Sequence, residues 1–348
     1  MPDANKYDIL FLVDGGIGNV LEALYAVEYC IHGGKKTGVY IHTLSKSFIN
    51  FLRKSYGPEV ILESLAGVST VHLVHSFTYY DHFEVRFDNY FYIQPDVISS
   101  EYSSETEQYL SVVRALFPSD SKPGDSLRGL AENYSERVKK ARPEDKVILY
   151  PGCSAAFSSK KWPYFMELMS RIGKEHTMII GGKEDLDFQF SYYYPKWVTR
   201  LVSQKILNTR AFFDLLKWFR LLKKHAHFTG IDKLDNSYFN VFEWEELIAI
   251  FRRCRFFIGN DGGLMHLAAV SGARGKAIFG PTSIEKNKPL STLMEVTFHK
   301  MECQPCSFKT KGINYTYGMI ACPYQVGCLY SLTVDEVAKG IPETDLSK

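Results

Sequence analysis

The sequence predicts an α/β protein of two halves, and three observations carry that reading. Short apolar runs recur along the chain with helix-period segments between them, the pattern of parallel strands and crossover helices. Two of these runs, ending at Val13 and Ile258, break into glycine-rich turns that open a helix within a few residues. Midway, Arg142-Pro143-Glu144-Asp145 interrupts two periodic segments with a proline and charges, which reads as a linker. The expectation is two Rossmann-like domains, 1–143 and 144–348, each long enough to bury its own core.

In the first half, strands are expected at 9–13, 39–42 and 71–74, with helices at 19–29, 48–55, 107–117 and 127–141. The aromatic stretch 77–93 reads either as irregular strand and loop over a cleft or as the edge of a core. After the linker the pattern restarts. Strands are expected at 147–150, 178–180, 256–258 and 277–279, and helices at 163–174, 212–224, 244–253 and 334–339. Proline at position 163 suits a first helical turn.

Composition narrows the function classes. The hydrophobic fraction of 45% and charged fraction of 23% are those of an ordered globular chain. A net charge of +2 gives no electrostatic case for nucleic acid, although peripheral contact with an anionic membrane stays open. The first apolar run is too short for a signal peptide, and no stretch approaches the ~20 apolar residues of a spanning helix. The expected compartment is the cytoplasm, with thiols reduced.

The segment 256–282, FFIGNDGGLMHLAAVSGARGKAIFGPT, is the most informative. Two strand-like runs flank a helix that opens on Gly262 and Gly263, where bare backbone, free N–H groups and the positive dipole end favour a phosphate. Asp261 would repel a phosphate, so it either accepts hydrogen bonds from sugar hydroxyls or caps the helix. His266 falls in the first helical turn, where it could donate to a diphosphate or pack as a core histidine. The run Asn260-Asp261-Gly262-Gly263-Leu264-Met265-His266-Leu267-Ala268-Ala269, followed by Phe279-Gly280-Pro281-Thr282, resembles the donor-site signature of family 9 glycosyltransferases, the heptosyltransferases and their relatives. That family usually has Ser or Thr where Gly262 stands.

A second motif follows the first strand: Asp14-Gly15-Gly16-Ile17-Gly18-Asn19. It fails as a dinucleotide fingerprint, because Leu21 occupies the third small position. The resemblance implies a catalytic base at this turn, but the matching residue is Asn19, and a carboxamide takes no proton at neutral pH. Asn19 could only orient an acceptor. Asp14, at the strand's end, and Glu22, one turn into the helix, are the nearest replacements, and Asp14 is preferred. Turn and cap roles are the alternatives for Asp14 and Asn19.

In the second half, Ser154 followed by Lys160-Lys161-Trp162-Pro163 places a hydroxyl and two lysines between a strand and a helix, as a diphosphate cradle would. The resemblance implies phosphate contact at Lys160 and a hydroxyl near Ser154; the alternative is a solvated basic turn. Asp185-Leu186-Asp187 matches a metal-binding spacing but suits a helix start, and is read as structural. Cys303, Cys306, Cys322 and Cys328 fall within one short segment, which in a reducing compartment favours a thiolate metal site over disulfides. The segment resembles the iron-binding finger of autotransporter heptosyltransferases, so structural zinc or iron is expected there, with free cysteines as the alternative. Cys30, Cys153 and Cys254 read as small buried residues.

The resemblance extends well over 147–282 and moderately over the first forty residues. It is weak over 76–142, and 229–243 looks like an insertion. It implies the GT-B arrangement, two domains facing across a cleft with the last helix near the hinge. The implied activity is inverting transfer from a nucleotide-diphospho-sugar, ADP-heptose by family, to a glycan or protein hydroxyl, with no cofactor in the chemistry. An epimerase or hydrolase of nucleotide sugars, and a non-catalytic sugar-nucleotide binder, are the other readings.

Overall fold

The computed structural model describes residues 6–42, 44–76, 85–93, 104–119, 124–153, 160–182, 185, 231–305 and 327–342. The first half contains β1 (Lys6–Val13), α1 (Ile17–His32), β2 (Thr37–Ile41), α2 (Lys46–Tyr56), β3 (Ile61–Leu62), β4 (Ser69–His75), β5 (Arg86–Tyr92), α3 (Glu105–Leu116) and α4 (Glu136–Ala141). The second contains β6 (Val147–Tyr150), α5 (Phe165–Ile172), β7 (Thr177–Gly181), β8 (Ser237–Phe239), α6 (Trp244–Arg253), β9 (Phe256–Asn260), α7 (Gly263–Val270), β10 (Gly275–Ile278), α8 (Ile284–Asn287), β11 (Met294–Thr297), α9 (Gly327–Tyr330) and α10 (Val334–Ala338).

Both sheets are parallel throughout, in the orders β3-β2-β1-β4-β5 and β11-β10-β9-β6-β7-β8. The central strands β1, β6 and β9 are apolar on both faces, as strands covered on both sides must be. Chain direction across each sheet reverses once, between β1 and β4 and between β6 and β9. Ligands of open α/β sheets bind beyond the strand ends at such points. There lie Asp14 to Gly16 after β1, Pro151 after β6, and Asn260 with Asp261 at the end of β9.

One apolar cluster runs through both halves, from Phe11 and Val13 through α1, Phe48 and Tyr109 to Ile148, α6, α7 and Phe279. Every residue of α1 from Val20 to Cys30 is buried, because the helix packs on its own sheet, on α3 and on α7 of the other half. A helix so largely apolar is covered on most sides, and its buried carboxylates Glu22 and Glu28 face partners from other elements. Trp244 sets its edge against Phe48 at 4.9 Å, and Lys54 pairs with Glu245 at 2.6 Å across the same boundary. Smaller clusters cover the outer face of each sheet.

The helix expected over 127–141 exists only as α4. Leu127 and Leu130 are buried at helical spacing, which explains the misreading, but the backbone here is an extended strap. Its N–H groups are spent on other elements: Leu127 on the Val270 carbonyl at 2.8 Å, Gly129 on Glu28 at 2.8 Å, Ala131 on Ser55 at 3.1 Å and Asn133 on the Glu245 carbonyl at 2.9 Å. Long-range partners therefore replace the i−4 ladder. The stretch read as an insertion contributes structure: residues 231–233 form a 3₁₀ turn, and β8 pairs with β7. Within 77–93, the described part is a regular parallel edge strand, β5, with Tyr92 stacked on His75 at 5.0 Å. The helix expected at 212–224 lies outside the described residues. The last helix packs on α5, and Pro342, four residues beyond it, accepts from Arg255, whose own N–H reaches the Lys146 carbonyl beside the linker.

Candidate active site

The two glycine turns face each other. α1 starts at N-cap Gly16 and α7 at N-cap Gly262, one from each half. Their approach is so close that side chains are excluded: a Cβ on Gly18 would stand 2.9 Å from His266, and one on Gly263 would stand 3.2 Å from Ile17. Gly15 is needed for its backbone, with φ at +107°.

Asn19 behaves as a helix-start residue. Its Oδ1 accepts from the Gly16 N–H at 3.0 Å, and its Nδ2 donates to Glu105 at 3.0 Å. Asp14 ends β1 and is partly exposed; its carboxylate accepts from the Gly15 N–H at 2.7 Å, and its own N–H donates to Ser76 at the end of β4. Glu22 is buried one turn further into α1, with Oε1 3.6 Å from His266 Nδ1.

Across the boundary, Asp261 is buried and does not cap α7. That alternative is corrected: the carboxylate instead takes Lys160 Nζ at 3.0 Å and the Thr282 hydroxyl at 2.6 Å, and faces His266 Nε2 at 3.9 Å. Burial alone would raise its pKa, but Lys160, His266 and Thr282 outweigh that and hold it well below the usual carboxylate range. Lys160 thus stands at the mouth of α7, as a phosphate-binding lysine would. Lys161 turns the other way. It is 2% exposed and donates to the Asp185 carbonyl. Ser154 lies outside the described residues.

The sequence reading passed over the groups that hold this arrangement. Asn260, fully buried, accepts from the Trp162 N–H at 3.0 Å and donates to the Pro151 carbonyl at 2.7 Å, which fixes the lysine loop to the end of β9. Trp162 in turn donates from Nε1 to the Leu332 carbonyl at 2.9 Å. Tyr150 sets its hydroxyl where a side chain on residue 262 would go, 3.0 Å from the place of a Cβ, and donates to Asp185 at 2.9 Å. Asp185 also accepts from the Gly182 N–H at 2.7 Å, a structural role. Thr282 stood in the quoted motif without an assigned task, and a Gly-Pro-Thr following the neighbouring parallel strand was its only signal.

Of the cysteines, Cys30 and Cys153 are buried as expected, whereas Cys254 is half-buried at the end of α6. Burial pushes all three thiols up to about 12, so none is a ready nucleophile. Cys303 is half-buried and Cys328 buried against the second sheet's outer cluster; Cys306 and Cys322 lie outside the described residues. Among the described residues no three His, Cys, Asp or Glu side chains form a metal-binding group. No described helix is long and apolar enough to cross a membrane.

The fold is that of GT-B proteins, with 94% of this chain superposing on 96% of a family 9 glycosyl transferase from Veillonella parvula at a TM-score of 0.55 and 14% identity. The iron-containing dodecameric glycosyltransferase TibC of enterotoxigenic E. coli gives a TM-score of 0.52 at 14% identity, covering 96% of this chain and 77% of that one. Residues 241–315 match the family model of glycosyltransferase family 9 (heptosyltransferase). A lipooligosaccharide heptosyltransferase 2 from Campylobacter jejuni is 41% identical over 58 residues, 16% of this chain, and the match spans 18% of that relative's length. The chain thus resembles glycosyltransferase family 9 over residues 241–315, and over most of its length it shares the fold of a solved member of that family.

Proposed function

We propose that the protein is an inverting glycosyltransferase that moves a sugar from a nucleotide-diphospho-sugar onto a glycan or protein hydroxyl. One observation supports this most directly: the side-chain-free start of α7, with Lys160, Asp261 and His266 around it, opens toward the glycine turn of the other half. A diphosphate docked there meets the first N–H groups and the positive end of α7, and draws Lys160 from Asp261. Asp261 is then left to Thr282, His266 and the sugar hydroxyls.

In a single displacement the acceptor oxygen attacks the anomeric carbon while the sugar–phosphate bond breaks, and its electron pair leaves on the diphosphate. Lys160, the α7 start and His266 meet that charge, so the step calls for no divalent ion. Asp14 takes the acceptor proton at the crevice end of β1. Asn19 holds the turn that presents it. Ser154 completes the donor loop, and Lys161, bonded to the Asp185 carbonyl, anchors it from behind.

The heptose and the ADP follow from kinship. The Campylobacter relative is named a heptosyltransferase, and TibC has been solved with ADP-D-β-D-heptose. Cys303, Cys306, Cys322 and Cys328 would hold zinc or iron, which would supply a structural staple for the last loop. The compartment is the cytoplasm, where such thiols stay reduced.

Calorimetry with ADP-heptose and with UDP-, GDP- and dTDP-sugars, repeated with Lys160→Ala, tests the reading. ADP-heptose should bind tightest, and Lys160→Ala should weaken every donor. Preference for another nucleotide would remove ADP-heptose alone. Equal, Lys160-independent binding of all donors would remove the donor site. Release of free or isomerised sugar without acceptor would favour a hydrolase or epimerase, and binding without turnover a non-catalytic role.

A further inference from the structure

Resting on the donor reading above, we infer that Glu22 and His266 share one proton across the domain boundary, and that Glu22 is the positioning residue that charges the imidazole as the diphosphate departs. Glu22 Oε1 lies 3.6 Å from Nδ1, and Nε2 of the same ring faces Asp261 Oδ1 at 3.9 Å. The ring therefore spans from a helix of one half to the donor-site carboxylate of the other. Gly18 seats it, since any side chain at that position would meet the ring at 2.9 Å. Separations slightly beyond hydrogen-bond length are usual in a site without substrate and tighten in the complex.

The surroundings favour a proton on this pair. Burial first, then Glu105, pushes the Glu22 carboxyl well above the usual range; Asp261 adds to the rise and Lys286 opposes it. Tyr25 and Tyr109 also face Glu22, and burial keeps both phenols protonated. Lys160 stands beyond Asp261. A neutral Glu22 can donate to Nδ1, which leaves the hydrogen on Nε2, toward Asp261.

When negative charge builds up beside Nε2, the proton moves from Glu22 Oε1 to His266 Nδ1. One O–H bond breaks, one N–H bond forms, and a carboxylate–imidazolium pair remains with no change in net charge. The imidazolium then donates from Nε2 to the departing diphosphate. Glu22 touches neither donor nor acceptor and acts only through the ring. Product release returns the proton.

The test uses ADP as probe and the full chain. Calorimetry at neutral pH, in buffers of different ionisation enthalpy, counts protons taken up on binding. The wild type should draw none from the buffer, because the proton is already inside. Glu22→Gln should draw about one and lose on the order of tenfold in affinity, Glu22→Asp should recover part, and Gly18→Ala should imitate Glu22→Gln. In the ligand-free proteins, ¹⁵N spectra of the imidazoles, assigned with His266→Gln, should show the Nδ1 signal moving in Glu22→Gln. Equal proton uptake in wild type and Glu22→Gln, or an unmoved Nδ1 signal, would overturn the inference. Failure of the wild type to bind ADP would strike the donor reading instead, and the ring-nitrogen spectra would then decide proton sharing by themselves.

Discussion

Replacing Asn260 by alanine removes its two short hydrogen bonds and a longer one, at 3.5 Å, to the Gly152 carbonyl. The carboxamide joins the Trp162 N–H at 3.0 Å to the Pro151 carbonyl at 2.7 Å, and both Asn260 and Trp162 are 0% exposed. Each orphaned buried group costs about 1–3 kcal/mol, so the pair is worth about 2–6 kcal/mol. Full burial of the donor side chain places the expected loss in the upper half of that range, because water cannot step in. The same change frees the loop that carries Lys160, so donor binding should weaken together with stability. Urea unfolding followed by tryptophan fluorescence gives the first number, at an unchanged m-value, and ADP calorimetry on the folded variant gives the second. Asn260→Asp should fare no better, since it keeps an acceptor for Trp162 but opposes the Pro151 carbonyl and adds charge beside Asp261. A stability loss below about 1 kcal/mol, or undiminished ADP affinity, would refute the clamp.

Gly262→Ser should weaken ADP binding, because its Cβ would stand 3.0 Å from the Tyr150 hydroxyl and 3.1 Å from its ring Cε1; adding Tyr150→Leu removes both atoms, and calorimetry on the double variant should show recovery. Glu336 is held down to about 2 by the Thr333 hydroxyl and N–H and by His299. A carboxyl depressed in the fold stabilises fully above its unfolded value near ~4.3 and loses that contribution as pH falls through the folded one. NMR signals of Leu332 and Val337 should therefore shift between those two pH values, and Glu336→Gln should abolish the step. Metal analysis of the purified protein should find one zinc or iron per chain, lost in Cys306→Ser; a metal-free wild type would end the thiolate assignment.

Local order alone determined the α/β class, the positions of most strands and the two glycine turns. Each strand run and each helix start is set by neighbours within a dozen residues, through apolar spacing and through glycines that leave the backbone bare. The helix misplaced over 127–135 marks the limit of that logic. Leu127 and Leu130 kept helical spacing, while the N–H groups of Leu127, Gly129, Ala131 and Asn133 went to Val270, Glu28, Ser55 and Glu245, partners that no local pattern names. The site divides in the same way. Lys160, Asp261, Gly262, Gly263 and His266 were legible as a candidate group because a helix opening on bare glycines, and a lysine pair ahead of another helix, leave a recognisable composition. Asn260 as a clamp, Tyr150 at the missing side chain of residue 262 and Glu22 against His266 were not, because each acts across a contact that exists only once the two sheets share one core. Tertiary packing thus decided which carboxylate meets which base: burial and proximity, not residue type, push the Glu22 carboxyl up and hold that of Asp261 down.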